Sequence, residues 1–577
     1  MKKILKIIPL EEKKNLVYFF FLIIIVMLLE SLSIGAVFPL IITILSDNFK
    51  QEKIYSLFET YFGVFNYEQM VFILLILILL IFIIKNLFLI FLQWWKHGFT
   101  NRVQLKIQKK LFKIYLNQSY LDSSKQNTAI KMRNITQESS RFAKYFMDVL
   151  TICIESMVIL SIGTVLLYLN SKVAITIFLL ISILTLIFYL IAKTKVFRWG
   201  KQRLVHNGIS MKALLEGLSS IKELKIFRKQ NFFLNKFSTE EGKYLHLTRL
   251  FSIFNDSPRI LIESLMVFAL CVSIIFMTYS GIEKKEILAT LGMFAVAGFR
   301  LFPSTTRMIN SINQIKSNSA SMDLIINEYD LENNFEELNE THNENVINKF
   351  SKNIELTNVS FNYLTKEKSI IDNFNFKINK GTKIAIFGDS GSGKSTLLNL
   401  IIGFLKPSNG TIKLDGEQIF NNNNIKSLFS YVSQETFLLD ETISFNITFK
   451  SKLDQSDLVK LREVIDIVNL SEFISNLENG LDTVIGEKGT DISGGQRQRI
   501  SIARAIFADK EILILDEPTN ELDEKNEKEI VRKIFKNYSD KTVIITSHNR
   551  DLLKYCDQII YFKEKQLILE NNNEKII

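Results

Sequence analysis

The chain has 577 residues, a formal net charge of +10 and an apolar content of 47%. At roughly 100–200 residues per domain, it is too long for one ordinary domain. Its three cysteines, Cys153, Cys271 and Cys556, show neither paired nor metal-ligand spacing. This argues against a disulfide framework and against a cysteine-bound metal.

Six strongly apolar runs lie within the first 310 positions. With its flanks, each run approaches the roughly 20 residues that a helix needs to span a bilayer. Buried helices of a soluble protein are the alternative, but such helices normally carry a polar stripe, and Leu74–Ile84 and Ile175–Ile183 have almost none. We therefore predict six membrane-spanning helices, at Val17–Leu29, Val71–Ile84, Val158–Leu169, Val173–Ala192, Leu261–Met277 and Ile287–Phe302.

Loop charge gives the orientation of these spans. The stretches 96–146 and 193–255 are strongly basic, whereas 47–68 is mainly acidic. Because basic loops stay on the cytoplasmic side, both basic stretches and both termini are expected in the cytoplasm of a multi-pass inner (plasma) membrane protein. Residues 1–9 are expected to be a basic lead-in rather than a cleaved signal. Anionic lipid headgroups then account for the positive charge, and no nucleic-acid partner is required.

The apolar spacing of Val103–Tyr115 and Leu214–Phe227 is helical, which predicts that helices continue beyond the bilayer into the cytoplasm. The composition turns acidic at Ser317–Lys349, and after Ile354 short β-branched strands alternate with helices. We predict an all-α six-helix transmembrane domain at 1–316, a linker at 317–350 and an α/β domain at 351–577.

One glycine-rich loop in the α/β domain fits the phosphate-binding pattern G-x-x-x-x-G-K-[ST] at every fixed position. It lies between the strand-like run Lys383–Phe387 and a helical pattern that ends at Ile402, a context that disfavours the alternative of a simple turn. Lys394 would reach the β- and γ-phosphates, and Ser395 would help to hold Mg²⁺. We therefore predict a nucleoside triphosphate and Mg²⁺ bound by Gly388, Asp389, Ser390, Gly391, Ser392, Gly393, Lys394, Ser395 and Thr396.

A second strand-like run, Glu511–Leu515, ends in the acidic pair Asp516-Glu517. A carboxylate at the tip of such a strand can complete the Mg²⁺ shell, a role that suits Asp516. The next carboxylate, Glu517, is placed to polarise an attacking water as a general base. A surface acidic pair is the alternative, and the buried run before it makes that alternative the weaker one.

The segment Ile492-Ser493-Gly494-Gly495-Gln496 resembles the signature motif of ABC transporters, with Ile492 in place of the more usual leucine. Over nearly its whole length the chain resembles an ABC exporter half-transporter. The resemblance implies that the nucleotide is ATP. It also implies that Ser493, Gly494, Gly495 and Gln496 close over the γ-phosphate bound by another subunit. The expected functional unit is a homodimer with two composite sites.

The same resemblance assigns roles to three further residues. Tyr363 would stack on adenine, although a strand aromatic packed in the core is the alternative. Gln434 would link Mg²⁺ or water to the membrane domain, and His548 would contact the γ-phosphate. With Glu517, the residues Gln434 and His548 form the predicted catalytic set.

Two further positions carry a family role. Glu487 resembles the exporter-specific loop that contacts the intracellular helices, which we expect to reach their tips near 122–133 and 214–225. Asp523 matches the aspartate of the loop after the catalytic glutamate. Its neighbours Asn520-Glu521-Leu522 depart from the common Ser-Ala-Leu, so this loop differs from the family pattern.

Several charged residues lie in or near the apolar runs, where such residues often face a cavity or a partner. Interhelical ion pairs are the alternative. The acidic and basic positions concerned are Glu30, Lys85, Glu155, Glu263 and Arg300, with Arg259 and Arg307 as further candidates for an electropositive lining.

The nature of the cargo rests on a more diffuse resemblance. Glu30–Pro39, the apolar helical face of Ile54–Phe62 and Gly298–Pro303 followed by Arg307 resemble bacterial flippases of lipid-linked oligosaccharides. The Ile54–Phe62 segment is also compatible with an ordinary packed loop helix. The resemblance implies that a polyprenyl-diphosphate-linked oligosaccharide moves between membrane leaflets, with arginines meeting the diphosphate.

Other functions share the same ATPase motifs. Exporters of a peptide, a drug or another lipid stay open as alternatives. An ATP-gated channel or regulator usually tolerates degenerate catalytic positions, so Glu517 and His548 argue against that class.

Overall fold

The computed structural model describes residues 10–45, 66–169, 186–279, 284–340, 349–363, 369–420, 422–486, 489–519, 524–563 and 566–571, with positions 175, 179, 182, 183, 281 and 521. The predicted Ile54–Phe62 helix, nine of the twenty positions of the predicted span Val173–Ala192, and the predicted site positions Glu487 and Asp523 lie outside the described residues. The chain divides into two compact units, one made of Met1–Gln118 and Asp122–Glu336, the other of Ser119–Leu121 and Glu337–Ile577.

The described residues that precede position 341 are mainly helical. In chain order its helices are α1 (Leu10–Gly35), α2 (Val37–Leu45), α3 (Tyr67–Asn117), α4 (Tyr120–Lys125), α5 (Thr128–Arg133), α6 (Ser139–Leu169), α7 (Phe197–Ser219), α8 (Ile221–Ile226), α9 (Gln230–Tyr279) and α10 (Lys284–Glu340). Helix α10 continues into the segment 317–350 predicted as a linker. The domain limits 1–316, 317–350 and 351–577 stay a prediction.

An apolar core joins helices α1, α3 and α6. Val26, Phe99 and Val158 are buried together in this core, one from each helix. The hydroxyl oxygens of Ser31 and Ser161 lie 2.7 Å apart, so a polar contact also links α1 with α6. Side-chain packing of this kind fixes helices in a membrane, where lipid gives no hydrophobic drive for helices to associate.

Three helical stretches of the described residues are long and apolar enough to cross a membrane: Glu12–Ile41, Tyr67–Asn117 and Thr128–Tyr168. In the most apolar window of Tyr67–Asn117, only 11% of the residues are buried inside the protein. A soluble protein would bury such a window, so its exposed apolar surface fits lipid rather than water. The predicted spans Leu261–Met277 and Ile287–Phe302 lie on α9 and α10.

The second unit is an α/β domain. Its strands are β1 (Asn353–Phe361), β2 (Ile371–Asn379), β3 (Lys383–Gly388), β4 (Asn409–Leu414), β5 (Glu417–Gln418), β6 (Phe429–Val432), β7 (Ile512–Asp516), β8 (Thr542–Ser547), β9 (Gln558–Lys563) and β10 (Gln566–Asn571). Its helices are α11 (Lys394–Ile402), α12 (Asn423–Lys426), α13 (Ile443–Thr448), α14 (Gln455–Ile467), α15 (Ser471–Ser475), α16 (Gly494–Phe507), α17 (Glu524–Asn537) and α18 (Arg550–Leu553).

The strands form two sheets. The larger sheet has the order β10-β9-β3-β8-β7-β6. In it, β9, β3, β8, β7 and β6 run parallel, and β10 pairs with β9 in the antiparallel sense. The smaller sheet, β2-β1-β4-β5, is antiparallel.

Burial of β7 on both faces positions the acidic pair that follows it. Leu513 and Leu515 belong to one apolar core, whereas Ile512 and Ile514 belong to the other. The strands β3, β8 and β7 are parallel neighbours, so their carboxyl ends meet at one edge of the sheet. Ligands of open α/β sheets bind at this edge.

Candidate functional site

The glycine-rich loop connects the carboxyl end of β3 with the first turn of α11. Gly393 caps α11 with a φ of 117°, a conformation that side chains rarely adopt. A Cβ at Gly393 would lie 2.6 Å from the Cγ2 atom of Ile370, so the position has no room for a side chain. Gly391 also has a positive φ, 77°. These two glycines let the backbone turn its N–H groups toward an anion at the N-terminus of α11.

The Lys394 side chain is 4% exposed and folds back over this loop. Its Nζ atom donates to the carbonyl oxygens of Gly388, at 2.9 Å, and Asp389, at 3.1 Å. It also lies 3.2 Å from Oε1 of Glu517 and 3.3 Å from Nε2 of His548. The lysine of the loop and the acidic residue after β7 therefore form a buried ion pair.

The three residues predicted as catalytic meet at the Glu517 carboxylate. Nε2 of Gln434 donates to Oε2 of Glu517 at 2.8 Å. Nε2 of His548 lies 2.9 Å from Oε1 of the same carboxylate. These contacts bring together residues that follow β6, β7 and β8, three adjacent parallel strands. The arrangement can orient one carboxylate toward a water or a phosphoryl group at the sheet edge.

Asp516 lies beside Glu517 and next to Ser395, the last residue of the glycine-rich loop (the P-loop, Gly388–Ser395). The hydroxyl of Ser395 lies close enough to the Asp516 carboxylate to lower its pKa, and Thr546 Oγ1 donates to Oδ1 of Asp516 at 2.8 Å. The hydroxyl of Tyr431 donates to Oδ2 of Asp516 at 3.3 Å. Burial raises the pKa of Asp516, and the neighbouring Glu517 carboxylate adds to the rise. A bound cation would reverse both effects by stabilising the ionised form.

These donors fit a Mg²⁺-nucleotide. The Ser392 hydroxyl is buried and has no hydrogen-bond partner among the described residues, so the loop has a polar atom that a phosphate oxygen could satisfy. The described residues contain no cluster of three or more His, Cys, Asp or Glu side chains able to hold a metal alone. A cation bound by Ser395 and Asp516 would thus depend on phosphate oxygens. Gln434 lies at Glu517, and its predicted contact with Mg²⁺ stays a prediction.

Tyr363 lies next to the first turn of α11. Its hydroxyl is 3.4 Å from Oγ1 of Thr396, and its ring meets the ring of Phe361 edge-on at 5.0 Å. The side chain is half-buried and packs against the core of the domain. Core packing and proximity to the phosphate loop therefore occur together at this residue.

The signature segment forms the N-terminus of α16. Ser493 caps the helix: its hydroxyl accepts from the backbone N–H of Gln496, and the Gln496 side chain accepts from the backbone N–H of Ser493 at 2.8 Å. In the part of the chain that the structure describes, no hydrogen bond or ion pair joins 493–496 to 388–396. One chain thus brings the P-loop, Asp516, Glu517, Gln434 and His548 together, and leaves the signature residues apart from them.

The Glu521 carboxylate lies against the signature glycine Gly494. A Cβ at Gly494 would collide with Oε2 of Glu521. The same carboxylate lies 3.5 Å from Nη2 of Arg497, in the first turn of α16. A negative charge therefore lies at the helix end that was predicted to meet a γ-phosphate.

Sequence reasoning missed two residues that hold the Glu517 backbone. Gln498 Nε2 donates to the carbonyl oxygen of Glu517, and Thr546 Oγ1 accepts from its N–H. Both residues are buried. The sequence offered a signal for both, because each lies two residues from a predicted site residue. Gln498 follows Gln496, and Thr546 precedes His548.

Five of the seven charged residues predicted in or near the spans form ion pairs with one another in the helical unit. Glu30 on α1 is fully buried, with its carboxylate 3.6 Å from Lys85 Nζ and in an ion pair with Arg300. Glu155 on α6 pairs with Arg307 through two contacts, of 2.5 and 3.2 Å. These charged residues therefore form interhelical ion pairs, which was the alternative to the prediction that they face a cavity. Arg307 is nevertheless 42% exposed.

The remaining two candidates, Glu263 and Arg259, are exposed on α9. Neither forms an ion pair within the described ranges. They therefore have no counter-charge comparable to those of Glu30 and Glu155.

Comparison with known proteins gives matches over different lengths. Residues 371–520 match a family model described as ABC transporter. A relative named ATP-dependent lipid A-core flippase, from Vibrio parahaemolyticus, is 32% identical over 321 residues, which cover 55% of this chain and 54% of that protein. The protein of the same name from Vibrio vulnificus is 36% identical over 39% of each chain. The one from Wigglesworthia glossinidia brevipalpis is 26% identical over 84% of this chain and 82% of the relative.

The matched region thus spans about half or less of the first two relatives, at 54% and 39% of their lengths. A solved structure described as a bacterial Atm1-family ABC exporter with ATP bound aligns with a TM-score of 0.76 at 18% identity. It covers 95% of this chain and 94% of that one. At this identity the likeness concerns the fold.

Proposed function

We propose that this chain is an ABC exporter half-transporter that hydrolyses ATP to move a phosphorylated glycolipid across the inner (plasma) membrane. The observation that carries the proposal is the convergence of Lys394, Asp516 and Glu517 at the carboxyl edge of a parallel sheet. In the sequence, long apolar helices precede this α/β domain. An ATPase domain joined to membrane-spanning helices is the domain organisation of an ATP-driven transporter.

The phosphate groups of ATP would bind at the N-terminus of α11. There, Lys394 would exchange its contact with Glu517 for the β- and γ-phosphates, since a phosphate oxygen offers it an equivalent counter-charge. The Ser392 hydroxyl would donate to a phosphate oxygen. Tyr363 would stack on adenine.

Ser395 and Asp516 would hold Mg²⁺, with Gln434 at the edge of its shell. When bound, the cation neutralises charge on the transferred phosphoryl group. Release of Lys394 leaves the Glu517 carboxylate available to accept a proton from the attacking water. Gln434 and His548 would orient that carboxylate, and His548 would also contact the γ-phosphate.

A second copy of the chain would complete each site. The N-terminus of α16, with Ser493, Gly494, Gly495 and Gln496, has the helix polarity that favours an anion. Since these residues form no hydrogen bond or ion pair with the glycine-rich loop of their own chain among the described residues, they are available to a partner's nucleotide. Two copies would form two sites, which ATP closes and hydrolysis reopens.

The cargo we propose is a phosphorylated glycolipid, and the first candidate is a polyprenyl-diphosphate-linked oligosaccharide. Arg300 and Arg307 lie on α10, 24% and 42% exposed, each already paired with a glutamate. A diphosphate could replace that glutamate, because guanidinium groups bind phosphate and carboxylate in the same bidentate way. The names of the relatives favour lipid A-core as a second candidate.

Lipid-stimulated ATPase activity in nanodiscs tests the proposal. We would compare a polyprenyl-diphosphate oligosaccharide, lipid A-core and the corresponding polyprenyl oligosaccharide without phosphate. Stimulation of several-fold by one of the phosphorylated lipids, and none by the uncharged one, supports it. Stimulation only by a peptide or a neutral drug would reject the glycolipid and support the other class of exporter.

A further inference from the structure

Gln498 lies in α16, four residues after Gly494, and its side chain is only 2% exposed. Its amide nitrogen donates to the carbonyl oxygen of Glu517 at 3.2 Å. Its amide oxygen accepts from the backbone N–H of Glu521 at 3.0 Å. One buried side chain therefore joins α16 by hydrogen bonds to the backbone of both Glu517 and Glu521.

The backbone of Glu517 needs such support. Its φ is 47°, in the left-handed region that a residue with a side chain rarely adopts. Its N–H donates to Thr546 Oγ1 at 2.7 Å, and Thr546 is fully buried on β8. The peptide groups on both sides of the Glu517 Cα are thus hydrogen-bonded, one to β8 and one to α16. An uncommon conformation persists where the surroundings fix it in this way, and it often occurs at active sites.

The left-handed conformation also decides where the carboxylate points. With this backbone, the Glu517 side chain reaches Lys394, His548 and Gln434. An extended or helical φ would aim the side chain elsewhere. The hydrogen bond from Gln498 to the Glu517 carbonyl therefore influences the direction of the Glu517 carboxylate. The two side-chain hydrogen bonds of Gln498 are to the backbone of Glu517 and Glu521, not to Lys394.

We propose that Gln498 is a positioning residue that couples the placement of α16 to the orientation of Glu517. The inference rests on the proposed hydrolysis of ATP at Glu517. The N-terminus of α16 carries the signature residues Ser493–Gln496, two to five residues before Gln498. A shift of this helix on closure over a partner's nucleotide moves Gln498, and with it the carbonyl of Glu517. Formation of one composite site thereby adjusts the catalytic carboxylate of the other.

The competing explanation is that Gln498 only satisfies two buried backbone groups. In that case its loss would lower the stability of the domain and would reduce ATP binding and turnover together. A positioning role affects turnover and leaves ATP binding intact, because the P-loop contacts do not involve Gln498.

The test is the steady-state ATPase activity of the full-length chain in nanodiscs with Gln498→Leu, which removes both hydrogen bonds at nearly the same size. We expect kcat to fall about 10- to 100-fold, the scale of loss for a displaced catalytic group. The ATP concentration at half-maximal rate and the affinity for a fluorescent ATP analogue should stay within about twofold of the unmodified chain. Ser501→Ala, which alters another buried polar residue of α16, is the matched control and should keep kcat within about twofold.

Gln498→Glu gives a second readout if the leucine variant does not fold. It preserves size and the acceptor for the Glu521 N–H, and replaces the donor to Glu517 by a carboxylate oxygen. The same loss of kcat at unchanged ATP affinity supports the proposal. Turnover within about twofold of the unmodified chain, or a parallel loss of ATP affinity and turnover, overturns it.

Glu517→Gln, measured alongside, separates this inference from the proposed function. If the unmodified chain hydrolyses ATP and Glu517→Gln does not, the proposed hydrolysis at Glu517 stands. Full activity of the Gln498 variants would then overturn the coupling alone. If the unmodified chain does not hydrolyse ATP, both proposals fail.

Discussion

Lys394 Nζ lies 3.2 Å from Oε1 of Glu517, and both side chains are more than nine-tenths buried. The cation that would bind the phosphates of ATP is thus neutralised by the carboxylate that would activate water. A buried ion pair is costly to break unless another counter-charge replaces the lost one. ATP supplies such a charge, so its binding both engages Lys394 and releases Glu517.

Glu517→Gln should abolish turnover and preserve ATP binding. A glutamine cannot accept the proton of water, and general-base catalysis contributes roughly 10²- to 10⁴-fold to rate. Removing the carboxylate also removes the competitor for Lys394, so ATP affinity should stay equal or rise. ATPase assays and binding of a fluorescent ATP analogue measure the two effects. Glu511→Gln, at a half-buried glutamate paired with Lys380, is the control and should hydrolyse ATP normally. Near-normal activity of Glu517→Gln would reject its assignment as the base.

Asp516→Asn should stabilise the nucleotide-free protein and abolish Mg²⁺-dependent hydrolysis. Burial raises the pKa of Asp516 above the ordinary value of 3.8, so the folded state holds this proton more tightly than the unfolded state. The contribution of Asp516 to stability is therefore fully present below pH 3.8 and is lost as the pH rises through its folded pKa. Asparagine keeps the oxygen that accepts from Thr546 and has no charge to bury.

The gain in Tm for Asp516→Asn should thus be greatest at pH 8 and should shrink in acid. A gain of about 2–4 °C corresponds to roughly 1 kcal/mol in a domain of this size. Thermal unfolding across the pH range measures it, with the exposed Asp540→Asn as the control. A variant that unfolds earlier at pH 8, or one whose gain is the same at every pH, would contradict this explanation.

Glu521→Ala should lower the ATP concentration needed for half-maximal activity. The Glu521 carboxylate lies against Gly494 at the N-terminus of α16, where the proposed dimer would place a γ-phosphate. Its removal takes away a negative charge that repels the phosphate, an effect on the order of threefold or more in affinity. ATP titrations of hydrolysis measure it. Glu529→Ala, at an exposed glutamate on α17, is the matched control. Unchanged or weaker ATP dependence in Glu521→Ala would show that the carboxylate does not oppose closure.

Glu30→Gln should destabilise the membrane unit. The buried Glu30 carboxylate is the counter-charge of both Lys85 and Arg300, and loss of one partner of a buried pair costs about 3–5 kcal/mol. Thermal unfolding in detergent should show a lower Tm, and the double variant Glu30→Gln/Lys85→Met should recover part of the loss. Glu263→Gln, at an exposed position, should have little effect. Equal stability of Glu30→Gln and the unmodified chain would show that these ion pairs do not stabilise the helical unit.

The predicted fold class is confirmed, both the all-α unit with its apolar helices and the α/β domain with its glycine-rich loop. It was predictable because its signals are local: apolar runs long enough to span a bilayer, and a glycine loop between a strand and a helix. The convergence of residues after β3, β6, β7 and β8 follows from the same logic, since parallel strands end at one edge.

The remaining features depend on contacts between distant segments. Nothing around Glu30 in the sequence selects Lys85 and Arg300 as partners, because the pairing depends on how three helices rotate against one another. The left-handed backbone of Glu517 has no local signal either, since glycine or asparagine normally marks that conformation. The contact of Glu521 with Gly494 likewise requires the position of α16 against the segment after β7.

The central claim is that ATP hydrolysis moves a phosphorylated glycolipid between leaflets. The direct measurement follows a fluorescent polyprenyl-diphosphate oligosaccharide, and in parallel a labelled lipid A-core, in proteoliposomes given external ATP and Mg²⁺. Chains whose ATPase domains face outward should make one of these lipids inaccessible to an impermeant quencher, and Glu517→Gln should leave both accessible. Unchanged accessibility of both lipids, while the unmodified chain hydrolyses ATP, would contradict the claim.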